Sequence, residues 1–474
     1  MRTKNSLSCV RALAIVALSL STLSCAISVP LNQEPIGVEA KTNNKAKTDL
    51  ALAPVVQTRY PNNIIMVVAD GMGPAYTTAY RYYKDNPKTP EIETTALDKV
   101  LVGSARTVPH QVDGLVTDSA ASATALATGV KTYNGAIGVD VNKQALESVL
   151  RRAKKMGMKT GVAVTSQIVH ATPASYIAHN EQRRNYNQIA DSFLNDRIDG
   201  RFVADVMLGG GWAYFKREDA NLIEQFVAQG YQYANSYQAL AKLPKGKPTL
   251  GLFADKGLPW ALDDTNRFRL SFLSSEAVRQ LESPQGFFLL IEASQVDWAG
   301  HGNDIASAMA EMADLEETVI YLREYAKNHP DTLVIITADH STGGLTIGAD
   351  GEYRWSPEYL RNMQASVSKT ASQLLAQSDR AAFVSKQFGF ALQEQEIVAL
   401  ANIEQGTEQR AVEAVLKSII DKRSNTGWTT SGHTGIDVEV FAFGPGAQMF
   451  AGNQDNTEIA EKIFSFLELK NAEL

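Results

Sequence analysis

Short, continuous apolar runs alternate along the chain with stretches whose apolar residues recur every three or four positions. NIIMVVAD (63–70) is a β-branched run ended by Gly71-Met72-Gly73-Pro74. GVAVTS (161–166), GFFLLIEAS (286–294), TLVIITAD (332–339) and VEVFAFGPG (438–446) read in the same way. Runs of this length and composition predict buried strands. Between them, 144–156 sets Leu146, Val149, Leu150 and Ala153 on one helical face with Gly157 as its stop, and 305–327 keeps a helical period. Strand–helix alternation of this kind predicts an α/β fold, a largely parallel central sheet flanked by helices on both faces. Residues 349–428, rich in Gln, Ala, Ser and Glu with helical periodicity, predict a mainly helical insertion. Gly209-Gly210-Gly211 lacks the Gly-Lys-Ser/Thr ending of a phosphate loop and is expected as a turn.

The first 26 residues break the pattern. Arg2, Lys4 and Arg11 flank an apolar run from Ala12 to Leu23 that is too short to span a bilayer comfortably, and small residues follow. This is the plan of a secretory signal peptide. Two processing readings stand side by side: cleavage after Ala26, or a lipoprotein signal with Cys25 as a lipid anchor. Either predicts an exported protein, periplasmic or held at the outer membrane. Residues 27–60, as in AKTNNKAKTDLALAP, have no sustained periodicity and read as a flexible linker, so the folded domain is expected over 61–474.

Composition narrows the field. With 44% hydrophobic and 20% charged residues, the chain is neither collagen-like, low-complexity nor a multi-span membrane protein. Both cysteines, Cys9 and Cys25, fall in the export segment, so no disulfide framework is expected. Losing residues 1–25 removes Arg2, Lys4 and Arg11 and no acid, which takes the formal charge from −7 to −10. A balance this acidic argues against a nucleic-acid partner. Any anion the protein handles must meet positive charge supplied locally.

The acids and histidines sit where such a fold binds ligands, beyond the carboxyl ends of strands. Asp70 ends one run, Glu292 and Asp297 follow another, Asp339-His340 ends a third, and Asp118-Ser119 follows the DGLV run. Several buried charges at neighbouring strand ends need compensation, and shared cations supply it. Asp297-Trp-Ala-Gly-His301 spaces an acid and an imidazole one helical turn apart, Asp339-His340 offers adjacent ligands, and His433 lies between glycines. As a set they suit zinc in a two-metal site that clamps a phosphoryl group. Ser119 heads a small-residue run that can form a helix, and it reads either as a nucleophile at a helix N-terminus or as a simple N-cap. No Gly-x-Ser-x-Gly elbow is present, which leaves a metal as the serine's activator.

These residues lie in motifs that resemble bacterial alkaline phosphatases. The matching segments are ADGMG (69–73), VTDSAASATALATGVKTYNGAIGVD (116–140), HATPAS (170–175), IEASQVDWAGH (291–301), TADHSTGG (337–344) and GHTG (432–435), in order along the folded part. The resemblance implies hydrolysis of small phosphate monoesters through a phosphoserine on Ser119, with two Zn2+ and one Mg2+ as cofactors. It implies one zinc on Asp297, His301 and His433, and a second on Asp70, Asp339 and His340. The magnesium would take Asp70, Thr172 and Glu292. Arg183 would grip the phosphate and Asp118 would orient Arg183. The three cations bring six positive charges against the four of Asp70, Glu292, Asp297 and Asp339, which leaves about two for a phosphate dianion. Members are commonly homodimers, and a homodimer is expected; the insertion at 349–428 would shape substrate access or the dimer contact.

Two positions depart from the best-known enterobacterial pattern. His170 stands where that form has an aspartate near the magnesium, and Trp298 stands on the phosphate side where it has a lysine. His110, His179 and His329 fall outside the motifs and are expected to be structural or on the surface. Other readings on the same metal scaffold are a phosphodiesterase or a sulfatase. The Ala-Ala-Ser-Ala that follows Ser119 counts against the sulfatase, which needs x-Pro-x-Arg. From another class, the chain could be a catalytically dead metal- or phosphate-binding lipoprotein, a reading that the complete ligand set disfavours.

Overall fold

A computed structural model describes residues 60–473. The export segment with Cys25 and all but the last residue of the proposed linker lie outside the described residues. Ten strands form one sheet: β1 (Asn63–Val68), β2 (Leu101–Arg106), β3 (Lys159–Gln167), β4 (Val206–Gly210), β5 (Gln232–Ala234), β6 (Thr249–Leu252), β7 (Phe287–Glu292), β8 (Thr332–Thr337), β9 (Val438–Phe443) and β10 (Gly452–Asp455). Their order is β10-β2-β9-β8-β1-β7-β3-β4-β6-β5. All neighbours are parallel except where β9 runs against β8 and β2. Every residue of β1, β7 and β8 is buried, which explains why those strands read as unbroken apolar runs rather than as alternation.

Helices cover both faces. Ser119–Thr128, Val149–Lys155, Ala171–Ile177 and Asn456–Glu473 pack together on one side, and Pro74–Lys84, Arg269–Leu281, Gln295–Gly302 and Ile305–Asn328 on the other. The second layer is tied to the sheet by a buried polar network. Arg269 donates to Asp314 Oδ2 at 2.9 Å, to both Glu311 oxygens at 2.8 Å and to Gln295 Oε1 at 2.9 Å. Gln295 in turn donates to the carbonyls of Thr165 and Leu258. It opens the short helix that carries Asp297 and His301, so the network fixes where that helix starts. The 349–428 stretch is mostly helical, with its longest helix at Gln409–Ser424. From that helix, Lys417 Nζ donates to Gly302 O at 2.6 Å, one residue beyond His301.

Three local expectations change. The helix expected over 144–156 is Val149–Lys155. Its first residues are drawn away by the bridge of Ala145 to Val139 and by Leu146 N donating to Gly138 O, so the helix begins after Ser148, whose side chain caps Arg151 N. The DGLV run is a loop rather than a strand, with Leu115 and Val116 exposed. Gly209 and Gly210 end β4 and Gly211, at φ +107°, makes the turn; Gly210 is glycine because a Cβ there would strike Lys256 O.

Candidate metal and phosphate site

Because β8, β1, β7 and β3 are adjacent and parallel, their carboxyl ends open on one place. Asp70 follows β1, Glu292 ends β7 and Asp339-His340 follows β8. The turn after β1 depends on Gly71, which has φ +78°, and a Cβ there would lie 2.6 Å from Asp297 Cα. Gly71 N donates to Asp339 Oδ1 at 3.0 Å. His340 N donates to the same oxygen at 3.0 Å. Glu292 Oε2 accepts from Ser294 Oγ at 2.6 Å and Ser166 Oγ at 3.1 Å.

What remains is a set of acceptors with nothing to accept from. Both oxygens of Asp70, Asp339 Oδ2 and Glu292 Oε1 are buried without a hydrogen-bond partner. The histidines add lone pairs to this set. His433 Nδ1 faces Thr117 O at 2.8 Å, and His301 Nδ1 faces Ser431 O at 2.5 Å. A carbonyl only accepts, so each Nδ1 carries the proton and each Nε2 is bare. Thr342 Oγ1 donates to Asp297 Oδ1 at 2.5 Å and accepts from His340 Nδ1 at 3.2 Å, which bares His340 Nε2 as well. The bare nitrogens of His433 and His301 then stand 3.1 Å apart, at 3.6 and 3.5 Å from Asp297 Oδ1. His340 Nε2 is 3.3 Å from Asp339 Oδ2 and 3.5 Å from Asp70 Oδ1.

Electrostatics agree with the geometry. Burial, and then the neighbouring carboxylates Asp339, Asp297 and Glu292, drive the Asp70 carboxyl far above its ordinary range. Burial pushes Glu292 up to about 7. Burial with Asp297 nearby pushes Asp339 up to about 6. The same burial holds His340 and His170 well below the usual imidazole range, so both are neutral. Acids held in their weaker form beside unprotonated imidazoles describe a cavity built for cations. Three groups bring one ligand atom each within 4.8 Å of one another: Asp297, His340 and His433; Asp70, Asp339 and His340; and Asp70, His170 and Glu292. His340 thus reaches both of the first two, and His301 joins the first through His433. Thr172 is buried beside Glu292, its hydroxyl also without a hydrogen-bond partner.

Ser119 lies inside this cavity. It is the first residue of the Ser119–Thr128 helix, and the capping role belongs to Asp118, whose Oδ1 accepts from Ala121 N at 2.9 Å. The simple N-cap reading of Ser119 is therefore replaced. Its hydroxyl is buried 3.2 Å from His340 Nε2. Arg183 reaches in from the far side, donating to Asp118 Oδ2 at 2.9 Å and to the neutral His170 Nε2 at 3.2 Å. Trp298 stands edge-on to His170, with ring centroids 5.9 Å apart. His110, His179 and His329 lie elsewhere, bonded to local backbone groups. Sequence reasoning did not single out Thr342, Ser166 or Ser294. The first and last sit inside TADHSTGG and IEAS, and that position was their only signal.

A family model described as alkaline phosphatase matches residues 61–469. Alkaline phosphatase 3 of Bacillus subtilis (strain 168) is 44% identical over 411 residues, covering 86% of this chain and 89% of its own length. The cold-active alkaline phosphatase from the psychrophile Shewanella sp. is 50% identical and superposes with a TM-score of 0.80, covering 85% of this chain and 99% of that one. The alkaline phosphatase from the Antarctic bacterium TAB5 is 26% identical with a TM-score of 0.64, covering 86% and 98%. Variants of the TAB5 enzyme with a histidine replaced by glutamate or aspartate carry magnesium in its M3 site.

Removal of metal should expose the cavity's charge as a pH-dependent instability. From pH 6.5 upward His340 and His170 stay neutral in the folded chain and become so in the unfolded one, whereas Glu292, raised to about 7, and Asp70, raised well above its ordinary range, still hold protons only when folded. The chelated protein is expected to lose stability as pH rises from 6.5 to 8, and the metal-loaded protein much less. Paired melting curves check this, and parallel curves for the two forms would contradict it.

Proposed function

The chain belongs to the alkaline phosphatase family, and from that premise we propose that it hydrolyses phosphate monoesters through a covalent phosphoserine on Ser119. Membership carries the coarser statement, metal-dependent hydrolysis of phosphate esters. The finer one rests on a single observation, the burial of one serine hydroxyl among bare imidazole nitrogens and partnerless carboxylate oxygens.

The ligand chemistry favours zinc at the two histidine-containing groups, Asp297–His301–His433 and Asp70–Asp339–His340, and magnesium at Asp70, Thr172 and Glu292 beside His170. When bound, these ions neutralise the carboxylates, favour the ionised form of Ser119 and draw charge off the ester oxygens. Arg183, held by Asp118, presents its remaining guanidinium donors to the non-bridging oxygens and fixes the phosphate against Ser119. Ser119 Oγ forms a bond to phosphorus as the ester bond breaks, and the alcohol departs with a proton. Water then displaces Ser119 and inorganic phosphate leaves. The position of Ser119 at the start of a ten-residue helix aids both steps by favouring negative charge there. Trp298 adds no charge, so among the described residues Arg183 is the cationic side chain placed for the phosphate.

We also read the protein as exported, cut after Ala26 or anchored by a lipid on Cys25, and working as a homodimer. The start of the family match at residue 61 supports a folded domain over 61–474 behind a linker at 27–60. Among the described residues, no helix is long and apolar enough to cross a membrane.

Two substitutions test the assignment. Ser119→Ala should abolish the phosphopeptide trapped at acid pH and lower aryl phosphatase kcat by at least about 10³-fold, with the bound metals retained. A wild-type phosphopeptide on another residue would contradict the assignment. His170→Asp should raise magnesium affinity and make activity more magnesium-dependent, because a carboxylate suits magnesium better than imidazole does. The TAB5 variants with magnesium in the M3 site point the same way. Unchanged magnesium affinity would count against His170 as a neighbour of the third ion.

A further inference from the structure

The loop that delivers Ser119 has an apolar edge that phosphate chemistry leaves unused. Val112, Leu115 and Val116 are 63%, 79% and 43% exposed, and Ile436 on a second loop is 50% exposed. The two loops touch, since a Cβ at Gly435 would lie 3.5 Å from Val116 Cγ2 and 3.6 Å from Leu115 O. Each loop leads straight into the site. Ser119 comes three residues after Val116, and His433 comes three before Ile436 and donates to Thr117 O. The edge is also held in place. The Asn134 side chain binds both Asp118 N, at 2.8 Å, and Val116 O, at 3.2 Å, and Asn134 N donates to the Asp113 carboxylate. Beside His301, by contrast, the rim is Asn303, Thr430 and Ser431, all polar. Apolar side chains gathered at the mouth of a polar cavity, and anchored there, call for an apolar occupant.

The occupant follows from the direction of the reaction. In-line displacement puts the leaving oxygen opposite Ser119 Oγ. Ser119 lies against His340, so the leaving side is that of Asp297, His301 and His433. The alcohol half of the ester then leaves the cavity past His433, alongside Leu115, Val116 and Ile436. We propose that these three residues form an apolar subsite for the alcohol, which makes esters of alkyl and aryl alcohols better substrates than esters of small polar alcohols such as glycerol. The proposal rests on the reading of Ser119 as nucleophile given above.

A series of n-alkyl phosphates from ethyl to hexyl tests it on the metal-loaded enzyme, because leaving-group acidity is nearly constant along the series and the slope reports contact. Wild-type kcat/KM should rise by about twofold per methylene, below the roughly fourfold of complete burial. Leu115→Ser and Ile436→Ser should each cut the hexyl-to-ethyl ratio by at least about threefold. Val398→Ser, which alters an exposed apolar residue on the Glu394–Ala401 helix, should keep the wild-type ratio. Hydrolysis with a flat wild-type slope, or an unchanged ratio in both loop variants, overturns the subsite alone. Failure to hydrolyse any member overturns the reading of the site, and the subsite with it. If light scattering shows that the loop variants split a dimer while the ratio holds, the edge is a contact between copies and the proposal falls.

Discussion

The structure depends on uncompensated charge at one end of its sheet. Asp70, Glu292 and Asp339 are wholly buried, and Asp297 nearly so. Ordinarily such acids find donors or are replaced, since isolating even one is costly. Here donors reach only some of the oxygens, leaving both oxygens of Asp70, Asp339 Oδ2 and Glu292 Oε1 without a partner, and the imidazoles do the opposite. The Nδ1 protons of His301 and His433 are spent on the carbonyls of Ser431 and Thr117, and that of His340 on Thr342, so all three rings turn lone pairs toward the acids. Raising the carboxyl pKa values only partly relieves the strain. Divalent cations held among these groups would offset the remaining charge, a requirement that fits the metal-dependent chemistry of the family.

The parallel sheet is what makes this concentration of charge possible. Antiparallel neighbours would send alternate strand ends to opposite edges, whereas β8, β1, β7 and β3 deliver theirs together. Only β9 runs against β8, and it places His433 before its first residue, so that residue enters at the same edge. The buried network of Arg269, Glu311, Asp314 and Gln295 then sets the start of the helix bearing Asp297 and His301. Lys417 pins the other end of that helix from the 349–428 stretch. The helical stretch therefore touches the helix of Asp297 and His301 directly, which gives it a structural role in the site whatever it does for substrate access.

Much of this was legible in the sequence because burial on both faces leaves a plain signal, an unbroken apolar run that stops at an acid. NIIMVVAD, GFFLLIEAS and TLVIITAD each give a strand and a site residue together. Other features depended on contacts that local sequence does not encode. Thr117 O and His433 Nδ1 meet across 316 positions, so no spacing reveals the tautomer they fix. Helical periodicity from Leu146 onward was real, yet the bridge to Val139 competed for the first turn and won. DGLV resembled a strand by composition, but its apolar residues face solvent at the mouth of the site rather than a sheet. At Asp118-Ser119 both residue types can cap a helix, and only the geometry shows that the aspartate caps while the serine faces the cavity.

Metal content per chain, measured together with aryl phosphatase rate during chelation and zinc and magnesium restoration, decides whether these buried acids and imidazoles hold cations that drive phosphate ester hydrolysis. About three divalent ions per fully active chain are expected, with activity that falls as the zinc leaves and recovers when the ions return. Undiminished hydrolysis by protein shown to be metal-free would contradict that role.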